Sequence, residues 1–399
     1  MEYVKLGDIC TKVCSGGTPT SSNPAYYDGN IPWLNTNEVN FCNIYSTNKT
    51  ISEEGLKKSA AKYVPENTVI VAKYGVTAGK CAIAKIPLTT NQACCNLIID
   101  KEKADYCYVY YYLRQQSDSL NKLAIGGAQQ NLNALTIKKF KIALPTLPIQ
   151  KKIASILSSY DRLIENNTRR IRLLEQMAEN LYKEWFVRFR FPEHEKVEMV
   201  NGLPKGWKIK RIADFGRIET GKTPPMSNRD LYGGDILFVK TPDMHDKMFI
   251  SSTSETLSED GNNYQLTKLL PANSIMVSCI GTAGIVSINA KPAHTNQQIN
   301  SIILNNLEDL EWLYYVCKQM KPTIELFGAT GATMTNLSKG KFEKLKVVVP
   351  KANIRESFHK RIRPYFKEIF TLDQQNTLLT RQRDLLLPRL MSGKLEVKS

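Results

Sequence analysis

Thr77-Ala78-Gly79 and Thr90-Asn91-Gln92 return further along the same chain as Thr282-Ala283-Gly284 and Thr295-Asn296-Gln297. Each copy stands 205 positions after its counterpart, as 77 against 282 shows. Toward the amino terminus the same offset carries Thr18-Pro19 onto Thr223-Pro224 and Ser22-Asn23 onto Ser227-Asn228, and it carries Ile31, Trp33 and Thr36 onto Ile236, Phe238 and Thr241. Toward the carboxyl terminus it carries Pro145 onto Pro350. In between, Ser52-Glu53, Pro65, Asn67 and Gly75 match Ser258-Glu259, Pro271, Asn273 and Gly281 at 206, so one residue has slipped in and out again. The stretch from about Lys5 to Ile164 is therefore present twice. A period of this length exceeds the roughly 20 to 50 residues of solenoid repeats, and it predicts two homologous globular domains, each with a trailing segment.

The composition fits that division. A chain of 399 residues is longer than one hydrophobic core usually serves, and each arm is near the commonest domain size. The net charge is +16, with an isoelectric point near 9.3 and Lys and Arg spread through both halves, which favours a polyanionic partner over an acidic small molecule. Nine cysteines include no CxxC pair; Cys10 with Cys14 and the adjacent Cys94-Cys95 fit neither a zinc site nor a disulfide framework. The start Met1-Glu2-Tyr3 has no basic and apolar leader, and no run of 18 apolar residues occurs. These features predict a cytoplasmic protein with reduced thiols and no membrane partner.

Within each arm, β-rich runs such as Thr68-Val69-Ile70-Val71 and Ser274-Ile275-Met276-Val277 are punctuated by Gly, Pro and Asn, which reads as a mixed α/β (α+β) domain. The trailing segments differ. After Pro148 no Gly or Pro occurs until past Phe189, and Ile149, Ile153, Ile156, Tyr160 and Leu163 alternate at spacings of four and three. The second copy runs Phe358, Ile362, Tyr365, Ile369, Leu372, Asn376, Leu379, Arg383, Leu386 and Leu390 in the same alternation. A polar Asn, Asn167 or Asn376, sits in each seam, where such residues fix register. Helices of this length span about 60 Å, more than one small domain can cover. The expected architecture is two arms joined by two long helices paired as an antiparallel coiled coil, with pseudo-twofold symmetry. The boundaries read as 1–148 for the first arm, 149–190 for the first helix, 191–205 for a polar linker, 206–350 for the second arm, 351–392 for the second helix and 393–399 for a tail.

With that order of parts, the chain resembles the DNA specificity subunit of type I restriction-modification enzymes. The resemblance covers essentially the whole chain. It rests on Ala143-Leu144-Pro145-Thr146-Leu147-Pro148-Ile149-Gln150-Lys151-Lys152-Ile153 at the first junction, on Ser15-Gly16-Gly17-Thr18-Pro19, on Gly126-Gly127-Ala128-Gln129-Gln130-Asn131-Leu132 and on the ending Leu385-Leu386-Leu387-Pro388-Arg389-Leu390-Met391-Ser392-Gly393. The second junction, Pro350-Lys351-Ala352-Asn353-Ile354, departs by lacking the proline-leucine-proline pattern and the Gln. The resemblance implies a non-catalytic subunit whose two target-recognition arms each read half of a split, asymmetric site on double-stranded DNA. Partner DNA adenine methyltransferase subunits and restriction/translocase subunits then carry the chemistry with S-adenosylmethionine, ATP and Mg. Two homologous arms related by a twofold would meet opposite strands at a fixed separation.

Motifs that suggest chemistry have blander readings. Gly216-Arg217-Ile218-Glu219-Thr220-Gly221-Lys222-Thr223 matches the P-loop pattern, but Pro224-Pro225 follows where a helix must open. The first arm has Gly17 where the Lys should stand. A basic loop at a DNA phosphate is the better reading, with Ser15, Gly17, Thr18, Thr220, Lys222 and Thr223 as candidates. Asn23-Pro24-Ala25-Tyr26 lacks the second proline of an adenine-methyltransferase loop and reads as a turn, and Pro242-Asp243 has no acid-x-Lys partner. His194, His245, His294 and His359 are scattered, with no metal or nucleophile constellation.

Residues shared by both arms should be scaffold or backbone contacts, and residues that differ should read bases. The shared candidates add Asn91, Gln92, Asn296 and Gln297. The better bets for readout are the stretch Lys73-Tyr74-Gly75-Val76-Thr77 with Lys80 in the first arm, and Lys240, His245, Lys247 and Ser278 in the second; Thr282, the counterpart of Thr77, joins the candidates. Two other classes of function remain open on the residues alone. One is a stand-alone DNA-modifying enzyme, tested by methyl transfer from the purified chain. The other is a coiled-coil scaffold whose arms bind protein, tested by salt-insensitive behaviour without duplex retention.

Overall fold

A computed structural model describes residues 2–123, 131–328 and 336–397. The chain forms two compact units, Met1–Asn166 with Gln375–Ser399, and the stretch between, Asn167–Gln374. Each is built on a five-stranded mixed sheet. In the first unit the strand order is Cys10–Ser15, Cys94–Ile99, Val69–Ala72, Cys81–Ala84 and Cys42–Ile44. In the second it is Gly216–Thr220, Ile299–Leu304, Ile275–Ser278, Val286–Asn289 and Phe249–Ile250. The last strand runs parallel to its neighbour in both, and the other pairs are antiparallel.

A smaller sheet centres on Tyr27–Leu34 or Tyr232–Val239, and each of these strands carries a register shift at the same place, between Tyr27 and Ile31 and between Tyr232 and Ile236. A two-stranded ribbon pairs Glu2–Lys5 with Lys141–Leu144, and Lys208–Arg211 with Lys346–Val349.

Strand periodicity explains why the central strands are apolar without interruption. Val69 and Val71 join a core with Tyr108 and Leu113 on one face, and Ile70 and Ala72 join Leu34, Val64 and Leu88 on the other. Ile275 and Val277 against Met276 divide in the same way. A strand buried on both faces has no solvent side and so no polar alternation.

The helix on the first face is Tyr106–Gln115, capped by Asp105 accepting from the Tyr108 amide at 2.9 Å; its counterpart is Leu310–Gln319. Each keeps an edge-to-face tyrosine pair, Tyr110 with Tyr111 and Tyr314 with Tyr315.

The long helices are Leu147–Tyr182, followed by one turn of π-helix over Lys183–Val187, and Ala352–Met391. The second unit holds the end of the first helix against the start of the second in antiparallel sense: Arg170 pairs with Glu368 at 2.6 Å, and Tyr182 meets Phe358. In the first unit Arg383 donates to Asp161. The helix positions that take these contacts repeat at the sequence offset. Arg114 reaches Asp384 at 3.6 Å in the first unit, and Lys318 reaches Glu179 at 3.0 Å in the second, with 179 and 384 again 205 apart. Tyr182, Trp185 and Phe186 are buried on the second arm where Leu387, Leu390 and Met391 are buried on the first. Each arm's core is thus completed by the helix that follows it and by the far end of the other.

Two details differ from the sequence expectation. The buried line of the first helix runs through Ile153, Ala154 and Leu157, while Leu163 is 50 % exposed, because part of the seam faces its own arm. The 191–205 stretch is mostly exposed but anchored: Phe191 is buried against Trp207 at 5.5 Å between rings, and Met199–Val200 pairs with Leu203–Pro204.

The junctions explain the sequence departure. Gln150, 1 % exposed, accepts from the Asp105 amide and donates to the Pro145 carbonyl. Arg355 stands at the equivalent place and pairs with Asp309 at 2.8 Å, so an ion pair replaces the amide clasp.

Candidate nucleic-acid interface

The edge strand of each five-stranded sheet delivers the chain into a tight turn that both arms build with the same bonds. Gly16 and Gly221 lie against the other sheet so closely that a Cβ would fall 2.0 Å from Thr90 O and 2.2 Å from Thr295 O. Only glycine fits there. The next amides, of Gly17 and Lys222, donate to those same carbonyls at 2.9 Å. Asn91 and Asn296 each turn the backbone by accepting from an amide two residues on, and their own amides donate to Leu34 and Val239. Thr18 and Thr223 donate to the side-chain oxygens of Gln92 and Gln297. Tyr27 and Tyr232 close the turn from behind, each donating to the carbonyl of Pro19 or Pro224. Both glutamines stay exposed, and each keeps an amide NH₂ group as donor.

This geometry disposes of the P-loop match. Gly216–Thr220 is a strand paired with Ile299–Leu304, and no helix opens after Thr223. A phosphate cradle of that kind needs the amides of a helix start.

On this shared frame the arms differ. Gly17 is pressed onto Ala60 and Ala61, and its carbonyl accepts from Trp33 Nε1 at 2.9 Å. Lys222, at the same position of the second arm, is exposed with its ammonium 4.5 Å from the Tyr264 ring centre. Lys73 is only 6 % exposed; its ammonium donates to Ser15 Oγ at 2.9 Å and lies 5.3 Å from the Tyr74 ring centre. Among the described residues no carboxylate pairs with that ammonium, which a hydroxyl does not neutralise. In the second arm Thr220 donates to Asn300 at 2.6 Å, and the position of Lys73 is held by the buried Cys279, whose thiol burial pushes up to about 11.

The remaining candidates fall in several places. Thr77 lies in the turn after Tyr74 and donates to its carbonyl. Lys80 donates to Asn40 at 2.9 Å. Lys240 is paired with Glu255 at 2.6 Å. His245 is exposed just after the Thr241–Met244 helix. Lys247 is exposed, and its charge acts on Asp373 of the second long helix, a carboxyl raised chiefly by burial and lowered by that lysine. Ser278 is 0 % exposed, donating to the Thr282 carbonyl and accepting from the Ile285 amide; it braces the turn from inside, and Thr282 is the exposed residue there. Most of Gly126-Gly127-Ala128-Gln129-Gln130-Asn131-Leu132 lies outside the described residues. The sequence did not mark Tyr27 and Tyr232 as the braces behind the turn; their shared offset of 205 was the available signal.

The nine cysteines are unpaired, with burial raising the Cys10, Cys94 and Cys95 thiols to about 12. Among the described residues no group of three or more His, Cys, Asp or Glu is placed to hold a metal, and no helix is long and apolar enough to cross a membrane.

The "Type I restriction modification DNA specificity domain" family matches residues 1–176 and again 204–381, one match per arm with its helix. The chain belongs to this family. It is 36% identical over 322 residues to the type I restriction enzyme HindI specificity subunit of Haemophilus influenzae, covering 65% of this chain and 70% of that one. It is 29% identical over 408 residues to the MjaIX specificity subunit of Methanocaldococcus jannaschii, covering 99% and 93%. The crystal structure of a type I restriction-modification S subunit from M. genitalium shares the fold, with a TM-score of 0.65 at 17% identity, over 98% of this chain and 95% of that one.

Proposed function

We propose that this chain is the DNA-recognition subunit of a type I restriction-modification complex. Each arm reads one half of a bipartite, asymmetric site on double-stranded DNA, and the long helices fix the gap between the halves and dock methyltransferase subunits. The observation that carries this reading is the turn built twice. Its frame is the same in both arms, from the glycine contact to the threonine–glutamine bond, while the side chains around it differ, Gly17 against Lys222 and Lys73 against Cys279. A shared frame suits sugar-phosphate contacts, which position, and differing side chains suit base edges, which specify. Catalysis falls to the partners: methyl transfer to adenine by methyltransferase subunits with S-adenosylmethionine, and ATP- and Mg-dependent cleavage by restriction/translocase subunits. The complex works in the cytoplasm.

The test is selection of random duplexes by the chain coexpressed with the methyltransferase encoded beside it. A two-part motif with constant gap is expected, with retention that falls steeply with salt. Salt-insensitive behaviour with no motif would refute the reading in favour of a protein-binding scaffold. Methyl transfer by the isolated chain would refute the division of labour.

A further inference from the structure

We propose that Val76 is a specificity-determining residue of the first arm and that it recognises the C5-methyl group of a thymine in the half-site this arm reads. The inference rests on the DNA-recognition reading above and names one contact within it. Val76 is 99 % exposed, the most exposed large apolar side chain described in the protein. A lone exposed aliphatic is ordinary on a protein surface. Its place in the chain is what distinguishes it.

The two arms run at an offset of 206 up to Gly75 and Gly281 and at 205 from Thr77 and Thr282, so Val76 is the residue the second arm lacks. The turn it enters is otherwise kept. Gly75 and Gly281 hold φ of +70° and +74°, and Gly79 and Gly284 hold +81° and +82°. The amides of Gly79 and Gly284 close the two turns onto the carbonyls of Ala72 and Ser278 at 2.9 and 2.8 Å. In the first arm the Ala78 amide adds a bond to the Gly75 carbonyl and the Lys80 amide one to Thr77, each within 3.0 Å. Val76 thus stands at the tip of a turn tied down on both sides, with its neighbour Tyr74 joined to Asn131 by a strand-like bridge. The turn follows directly from Lys73, whose ammonium holds the Ser15 end of the glycine turn. It is therefore continuous with the frame the arms share.

The chemistry of valine narrows what such a tip can read. Its side chain has no donor or acceptor, and it is confined to few rotamers, so holding it in place costs little entropy. Among base edges, the purely apolar group offered in the major groove is the thymine methyl. The second arm passes directly from Gly281 to Thr282, the counterpart of Thr77, and so presents no aliphatic side chain at this tip; arms that read different half-sites would differ there.

The experiment uses the complex assembled with its methyltransferase partner. Once selection has defined the two half-sites, duplexes are compared that carry thymine, deoxyuracil or cytosine at each thymine of the first arm's half. Wild type should lose roughly five- to tenfold in affinity on thymine-to-deoxyuracil exchange at one position. Val76→Ala should bind the thymine and deoxyuracil duplexes equally, keep the second half-site intact and melt at the wild-type temperature. Sensitivity to the methyl that persists in Val76→Ala, or a loss spread evenly over both half-sites, would overturn the assignment. Failure to select any two-part motif would instead strike the recognition reading itself, so the two failures are distinguishable.

Discussion

Arg383 gives the sharpest test of how the chain's carboxyl-terminal helix completes the first arm. Its guanidinium is buried and donates to Asp161, and it meets Asp384 at 2.8 Å. Asp161 also accepts from Tyr111 at 2.5 Å and has Arg114 at 3.8 Å. Asp384 is about half exposed, so its pairing adds little. Breaking a fully buried pair costs about 3 to 5 kcal/mol. Because Arg114 can partly neutralise the carboxylate left behind, Arg383→Met should fall at or below the low end, about 2 to 3 kcal/mol. For a unit of this size that lowers Tm by roughly 5 to 10 °C.

The protein's second copy shows that charge is not needed for the packing itself, since Ala178 and Phe366 occupy the positions equivalent to Arg383 and Asp161. The double variant Asp161→Asn with Arg383→Met should therefore recover much of the loss. Hydrogen exchange should report weakened protection in Cys94–Ile99 and Tyr106–Gln115 and unchanged protection in Ile299–Leu304 and Leu310–Gln319. Equal loss in both units, or strict additivity of the two substitutions, would refute the reasoning.

Three further outcomes follow from the same geometry. Gly221→Ala places a Cβ 2.2 Å from Thr295 O, so the second turn must shift; affinity should fall roughly tenfold or more, with specificity lost only in the half-site read by that arm, as selection on the variant will show. Lys222→Ala removes an exposed cation at that turn, and the slope of log affinity against log salt should flatten by about one while base preference survives. His294 is buried with its ring nitrogen 2.9 Å from Asn262 Oδ1, and burial lowers its pKa from 6.5 to about 4. The unfolded state therefore binds the proton first, and stability should be lost as pH falls from about 6.5 to 4, by about 2 kcal/mol. Urea midpoints measured across that window should decline in wild type and flatten in His294→Gln.

The repeat made the architecture legible before any coordinate was known. Offsets of 205 and 206 place each strand of one five-stranded sheet on its counterpart in the other, and the buried ends Tyr182, Trp185 and Phe186 against Leu387, Leu390 and Met391 obey the same arithmetic. What the sequence concealed were choices of partner. Heptad spacing registers that a helix has an apolar seam but not how deeply a given position is buried or against what, so Leu163 fits the seam by spacing and is half exposed. The polar stretch 191–205 reads as a tether until Phe191 is seen against Trp207. In the site, shared and variable positions were separable, but burial was not: Lys73 and Ser278 look like reading residues by type and lie beneath the surface that would read. Val76 lies within a stretch whose charge and aromatic mark it for readout, but an aliphatic residue in a loop carries no chemical signal of its own until its exposure and the missing counterpart are set side by side.

The central claim is that each arm reads its own half of one site. It is tested most directly by exchanging residues 1–148 for the first arm of a relative, keeping both long helices, and repeating the duplex selection with the assembled complex. One half of the motif should change while the other half and the gap stay constant; a change in both halves, or in neither, would contradict the account.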